Sequence, residues 1–179
     1  MQTLEQAHKD AADLYKLAYL ITGNCEAGLN VTMESIDSAD EQTSFFSGWM
    51  VAWSRRVVIS KALAGMRDDL TASARRTSSM RAKPATPKEN WSLSAGTTAA
   101  EFERAVLAID LFPRCALLLS IFERVSVEDA ATLLDATPEL VRKAQIIGLQ
   151  ELTANLASGQ GRTSTPPERY VIMSGIQHA

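Results

Sequence analysis

Apolar residues recur at helical spacing along most of the chain, and sustained period-two alternation, which is typical of strands, is absent from the sequence. The predicted helices cover residues 3–22, 25–38, 45–67, 98–111 and 113–124, followed by two helices within 126–156. The core-facing residues predicted on the first three are Leu14, Leu17, Ala18 and Ile21, then Ala27, Val31 and Ile36, then Phe46, Trp49, Trp53, Val57 and Met66. The pattern therefore predicts an all-α fold.

The stretch from Ser126 to Leu156 has the clearest local signals. A short apolar-periodic helix is followed by a break at Asp135-Ala136-Thr137 and then by a longer helix. Thr137 is a natural N-cap and Pro138 a natural first helical residue. Two helices joined by such a turn are typical of a helix-turn-helix, whose second helix enters the DNA major groove.

Composition changes between Thr71 and Gly96, where the chain is basic, rich in Ser, Thr, Ala and Pro, and without periodicity. This change predicts a mobile linker between two small helical domains. The expected organisation is a helical domain at 1–70, a basic linker at 71–97, a helix-turn-helix domain at 98–157 and a tail at 158–179.

The overall composition favours an ordinary globular protein, with 46% hydrophobic and 22% charged residues and a formal net charge of −3. The opening residues lack the apolar run of a signal peptide, and no run nears the ~18 residues of a membrane span, so we expect a cytoplasmic protein that does not bind membranes. Cys25 and Cys115 are expected to be reduced thiols. Nucleophile–base pairs, phosphate loops and metal-ligand clusters are absent from the sequence, so we expect neither enzymatic activity nor a cofactor or metal.

The predicted helices contain LYKLAYLITGN (Leu14–Asn24), FSGWMVAWSRRVVISKAL (Phe46–Leu63), FERAVLAIDLFPRCALLLSIFERVS (Phe102–Ser126) and SVEDAATLLDATPELVR (Ser126–Arg142). In this order they resemble regions two and four of the extracytoplasmic-function sigma subunits of bacterial RNA polymerase. The resemblance implies that the N-terminal region binds the polymerase clamp and melts promoter DNA, while the helix-turn-helix reads the upstream promoter element. It also implies that the protein performs no covalent chemistry.

The resemblance assigns candidate contact residues to three helices. Promoter DNA contacts are expected at Arg55, Arg56 and Lys61 on the third helix and at Thr137, Glu139, Arg142 and Lys143 on the last. The stretch that matches the clamp-binding helix, residues 28–34, supplies Asn30, Met33 and Glu34 as candidate polymerase contacts. A solvated pair of bases is an equally good interpretation of Arg142 and Lys143.

The chain also departs from the family pattern. The usual clamp-binding carboxylates and Gln are replaced in residues 28–34, and only Glu34 remains acidic. On the last helix, positions usually rich in Arg or His hold Ala144, Ile146, Ile147 and Leu149. A helical projection centred on Val141 places Ile146 and Ile147 at the exposed surface, where apolar residues usually contact protein.

Two functions therefore remain open from the sequence. The first is a sigma-type initiation factor that binds core RNA polymerase and promoter DNA. The second is a sigma-derived interaction module without initiation activity, such as a decoy, a partner of an anti-sigma or other regulatory protein, or a homodimer.

Overall fold

A computed structural model describes residues 4–40, 47–81 and 97–159, and within these ranges the chain is helical and contains no strand. The helices are α1 (Leu4–Thr22), α2 (Cys25–Asp40), α3 (Ser47–Gly65), α4 (Arg67–Ser79), α5 (Ala99–Leu107), α6 (Leu111–Leu117), α7 (Val127–Leu133) and α8 (Pro138–Gly159). A π-helical turn (Leu118–Phe122) continues α6. The predicted all-α fold is confirmed.

Local signals at Gly23-Asn24 end α1 and start α2. Gly23 has a φ of +70°, a conformation that favours glycine, and its N–H donates to the carbonyl of Tyr19 at 2.7 Å. The side-chain oxygen of Asn24 accepts from the N–H of Ala27 at 3.0 Å and caps α2. The predicted stop between the first two helices is therefore confirmed.

The N-terminal half (α1–α3) is built around the predicted stripe of α1. Leu14, Leu17, Ala18 and Ile21 are all buried, as expected. On α3, however, the buried residues are Val58, Ile59, Ala62 and Leu63. The predicted core residues Trp53 and Val57 are only half-buried, while the side chains of Phe46 and Trp49 lie outside the described residues.

Helix α4 corrects the linker prediction, because residues 71–79 are helical. It buries a narrow face of Leu70, Ser73 and Thr77, in which the Thr77 hydroxyl donates to the carbonyl of Ser73 at 3.0 Å. This face has one large apolar residue, so the apolar periodicity of the sequence could not reveal it. The other predicted linker residues from 82 to 96, and the tail from 160 to 179, lie outside the described residues.

The C-terminal half (α5–α8) surrounds a fully buried segment, Phe112–Leu119. Pro113 lies in the first turn of α6, where its missing N–H costs no hydrogen bond. Gly148 lets α8 approach α6 closely, because an added Cβ would lie 2.8 Å from the carbonyl oxygen of Pro113. The spacing of these two helices is therefore set by backbone contact.

The two halves share one hydrophobic core. The buried apolar residues form a single cluster that runs from Leu14 on α1 to Leu152 on α8. Helix α4 packs against α6 and α8, and α1 packs against α5 and α6. The described helices of both halves thus contribute to one buried apolar cluster.

Candidate protein- and nucleic-acid-contact surfaces

The frame of the predicted helix-turn-helix is present. Ser126 caps α7, accepting from the N–H of Asp129 at 3.0 Å. In the turn, Asp135 has a φ of +51°, and the Thr137 hydroxyl accepts from the N–H of Leu140 at 3.3 Å at the start of α8. Thr137, proposed from the sequence as a DNA contact, therefore serves as the N-cap that its position predicted.

The faces of α8 differ from the helical projection. Val141, Ala144, Ile147, Gly148 and Leu152 are buried. Since Ile147 is only 4% exposed, the expectation that it lies at the exposed surface is wrong. The close approach at Gly148 fixes the rotation of α8 about its axis and turns Ile147 towards the core.

The exposed surface of α8 retains Ile146. Ile146 is 43% and Leu149 37% exposed, and we call these two residues the α8 outer face. Arg142 and Glu139 are also exposed, one and two turns nearer the helix start than Ile146. The outer surface of the predicted recognition helix is therefore partly apolar, and Ile146 and Leu149 lie one helical turn apart on it.

The charged residues of α8 make contacts within the chain. The guanidinium of Arg142 lies 3.1 Å from the carboxylate of Glu128 on α7. The ammonium of Lys143 donates to the main-chain carbonyl of Ser78 at 2.7 Å, in the last turn of α4. Hydrogen bonds from its own N–H and from the Thr137 hydroxyl lower the pKa of Glu139. Both predicted DNA-contacting bases of α8 are therefore engaged by the protein itself.

Two of the three bases predicted to contact DNA from α3 also hold helices together. Arg55 makes a bidentate ion pair with Glu123, in which Nε lies 2.8 Å from Oε2. This hydrogen bond raises the pKa of Arg55. Lys61 donates to the main-chain carbonyl of Glu34 at 2.8 Å and so joins α3 to α2. Arg56 is exposed.

Helix α2 has its small polar residues inside and its large apolar residues outside. Thr32 is 3% and Ser35 0% exposed, and their hydroxyls donate to carbonyls of their own helix, so their burial leaves no unmet hydrogen bond. Leu29 is 52%, Met33 53% and Ile36 38% exposed. These three residues recur at i, i+4 and i+7, and we call them the α2 outer face.

The α2 outer face contains one predicted contact, Met33, and two residues that were missed. Ile36 was expected to face the core, and Leu29 was not singled out. The i, i+4, i+7 spacing of Leu29, Met33 and Ile36 was the available signal, because it places three large apolar residues on one face of the helix. The other predicted contacts, Asn30 and Glu34, are exposed beside this face, and α2 contains acidic residues but no Lys or Arg.

A polar cluster between α4 and α6 was also missed. The Ser73 hydroxyl accepts from the N–H of Phe112 at 2.8 Å and donates to Asp110 at 2.8 Å. Arg76 also donates to Asp110 at 2.8 Å. Burial opposes ionisation of Asp110, but the hydrogen bonds from Arg76 and Ser73 outweigh it and lower the pKa of Asp110. The partners are more than thirty positions apart, so no local pattern could reveal them.

A buried polar contact joins the N-terminal half to the C-terminal half inside the core. Arg114 is 7% exposed and donates to the carbonyls of Leu107 at 3.1 Å and Ile21 at 3.3 Å. Both carbonyls belong to the last turns of helices, where the backbone dipoles favour a cation. Burial lowers the pKa of Arg114, and its Nε has no hydrogen-bond partner. The arrangement joins the ends of α1 and α5.

Comparisons with protein-family models, curated proteins and solved structures give no match to this chain. Among the described residues, no group of three or more His, Cys, Asp or Glu side chains is arranged to hold a metal ion. Within the same ranges, every helix is too short or too polar to cross a membrane.

Proposed function

We propose that this protein is a sigma-type transcription factor that binds core RNA polymerase through the α2 outer face. The exposure of Leu29, Met33 and Ile36 supports the proposal. A helix that buries Thr32 and Ser35 while three large apolar residues stay exposed has the surface of a helix that binds another protein. Because these side chains are already about half buried, covering each of them would contribute roughly 0.7–1.5 kcal/mol, half the value for a fully exposed side chain. The sigma resemblance assigns polymerase binding to the same helix.

The charge on α2 defines the chemistry of the partner. Glu26 and Asp37 are exposed, Glu34 lies 3.7 Å from the ammonium of Lys61 on α3, and α2 itself contains no base. A partner that brings an apolar stripe flanked by Lys or Arg would complement this surface, whereas a second copy of α2 would repel it. Under this proposal the protein acts in the cytoplasm, needs no cofactor and performs no covalent chemistry.

Retention of the full-length protein on immobilised core RNA polymerase tests the proposal. We expect Leu29→Ser/Met33→Ser to weaken retention by about ten- to a hundredfold, because each lost apolar contact reduces affinity about three- to tenfold. Ile121→Ser is the matched control, since Ile121 is 56% exposed but lies outside α2. Equal retention of the double variant and the unchanged protein would contradict the proposal.

The second candidate is a sigma-derived interaction module without initiation activity. It is supported by α8, where Arg142 and Lys143 are engaged within the chain and Ile146 and Leu149 are exposed. An anti-sigma or other regulatory protein, or a second copy of the chain, would cover the α8 outer face. Light scattering after gel filtration, with Ile146→Arg as the variant, tests self-association. The two candidates are separated by transcription from a promoter with reconstituted polymerase. The first candidate supports this transcription and the second does not.

A further inference from the structure

The most exposed large apolar side chain among the described residues lies on the π-helical turn that continues α6. Ile121 is 56% and Phe122 44% exposed, whereas Leu118 and Leu119 of the same turn are buried. The ring of Phe122 contacts Phe102 of α5 edge to face, with the ring centroids 5.6 Å apart. We call Phe102, Ile121 and Phe122 the π-turn patch. Contiguous exposed apolar side chains of this kind mark contact sites.

The π-turn patch is held in place by the residue that follows it. The N–H of Glu123 donates to the carbonyl of Leu118 at 3.0 Å, which closes the wide turn. The carboxylate of Glu123 pairs with both guanidinium donors of Arg55 on α3, and the Glu123 side chain is only 10% exposed. Helical turns of the π type are rare and occur frequently at functional sites. The patch is therefore a preformed surface, and covering it requires no rearrangement of the helices.

The tail (residues 160–179) contains a run of consecutive apolar residues. Its sequence from position 170 is Tyr170-Val171-Ile172-Met173, and Glu168 and Arg169 come directly before this run. The tail lies outside the described residues, so the argument for its binding site rests on its sequence and on where α8 ends. Covering a run of this composition with apolar surface is favourable, since transfer of each side chain out of water stabilises the covered state.

Helix α8 ends beside the start of α5, close to the π-turn patch. Leu156 and Ser158 line a groove together with Glu101 of α5, and Glu101 directly precedes Phe102. Residues 160–170 can span roughly 35 Å when extended. Helix α5 has nine residues and is therefore only about 14 Å long. The apolar run of the tail can accordingly reach the patch.

The charges near the patch also suit the tail. Glu103 follows Phe102 in α5, and the exposed Arg124 lies two residues after Phe122. Glu168 and Arg169 of the tail bring one charge of each sign to these neighbours. The α2 outer face, in contrast, belongs to a helix with acidic residues and no base, so it would repel Glu168.

We propose that the apolar run Tyr170–Met173 of the tail docks on the π-turn patch of the same chain. Docking covers Ile121 and Phe122 and places an aromatic ring from the tail beside the Phe102–Phe122 pair. Because the tail and the patch belong to one chain, their effective concentration is on the order of millimolar, and a weak contact is sufficient. The proposal does not depend on polymerase binding, since the patch lies outside α2.

Paramagnetic broadening in the full chain tests the docking. A nitroxide is attached to a cysteine placed next to the apolar run by Ser174→Cys. The exposed Cys25 is removed by Cys25→Ser. Cys115 stays unlabelled, because it is buried and burial raises the pKa of its thiol to about 12.

Three isoleucine methyl groups report on the three exposed apolar surfaces of the described residues. Ile121 reports on the π-turn patch, Ile36 on the α2 outer face and Ile146 on the α8 outer face. We expect the Ile121 signal to lose most of its intensity, while the signals of Ile36 and Ile146 are retained. Loss at Ile36 or Ile146 in place of Ile121, or no loss at any of the three, would overturn the proposal.

Substitutions on both sides of the contact provide a second test. Val171→Ser/Ile172→Ser should restore the Ile121 signal, whereas the control Thr163→Ser/Thr165→Ser in the same tail should leave it broadened. Equal signals in these two double variants would contradict docking through the apolar run.

The mobility of the nitroxide, measured by electron paramagnetic resonance, tests the patch itself. It should rise in Ile121→Ser and stay unchanged in Ile146→Ser, since both residues are exposed and only Ile121 belongs to the patch. The same mobility in the two variants would remove the patch as the docking site.

Mixed samples distinguish docking within one chain from docking between copies. A nitroxide-labelled chain without isotopes is added to a methyl-labelled chain without the nitroxide. The Ile121 signal should keep its intensity in this mixture. Broadening of Ile121 in the mixture would show that the tail binds a second copy, and the proposal of docking within one chain would fail.

Discussion

Ser73 caps a helix that begins almost forty residues later in the chain. Its hydroxyl accepts from the N–H of Phe112 at 2.8 Å and occupies the place that the side chain of Asp110, the N-cap residue of α6, would otherwise take. Asp110 instead accepts hydrogen bonds from Ser73 and Arg76. The start of α6 is therefore determined by α4, and α4 is held in place by the start of α6.

Removal of this hydroxyl should weaken the fold. We expect Ser73→Ala to lower the free energy of unfolding by about 1–3 kcal/mol, because the buried N–H of Phe112 loses its acceptor. Urea unfolding followed by circular dichroism measures the change. Ser78→Ala is the control on the same helix, since Ser78 contacts Lys143 through its main chain. Equal losses in the two variants would contradict the role of the Ser73 cap.

Acid should weaken the same cluster. The pKa of Asp110 is lowered in the folded protein, so its ionised form stabilises the fold at pH values above the unfolded value of about 3.9. That stabilisation is lost as the pH falls through the lower, folded value. We expect the unfolding free energy of Asp110→Asn to fall less steeply than that of the unchanged protein below about pH 4. Urea titrations across this range measure both slopes, and parallel slopes would count against the prediction.

Two glycines should respond in opposite ways to the same substitution. Gly23→Ala places a side chain at a φ of +70° and a Cβ 3.0 Å from Arg114 Nη2, so we expect a loss of about 1–3 kcal/mol. Gly65 ends α3 with nothing within 4 Å of an added Cβ, so Gly65→Ala should be neutral or stabilise by up to about 1 kcal/mol. Thermal unfolding of both variants measures the difference. Equal shifts would show that the conformation of Gly23 is not required.

Ile146→Ala and Ile147→Ala should have different effects on stability, because Ile146 is exposed and Ile147 is buried. Ile147 is buried, and we expect Ile147→Ala to cost about 2–4 kcal/mol of unfolding free energy. Ile146 is 43% exposed, so Ile146→Ala should change stability by less than about 0.5 kcal/mol. Urea unfolding of the two variants under identical conditions provides the comparison. A large loss at Ile146 would remove the α8 outer face as a docking surface.

The sequence by itself determined the helices whose signals are local. The apolar stripe of α1, the stop at Gly23-Asn24 and the caps at Ser126 and Thr137 all involve residues within a few positions of each other. Such signals can be recognised without knowing what the helix packs against. The all-α fold and the frame of the helix-turn-helix follow from them.

Only the tertiary structure determined that α4 is a helix, which face of α8 is buried and which partners the basic residues contact. Helix α4 has one large buried apolar residue and depends on Asp110, while α8 is rotated by a backbone contact at Gly148. Arg55 and Lys143 look like DNA contacts in sequence, yet each meets a partner more than sixty positions away. A charged side chain is not specific to one partner, so the fold, and not the residue type, determines what it binds.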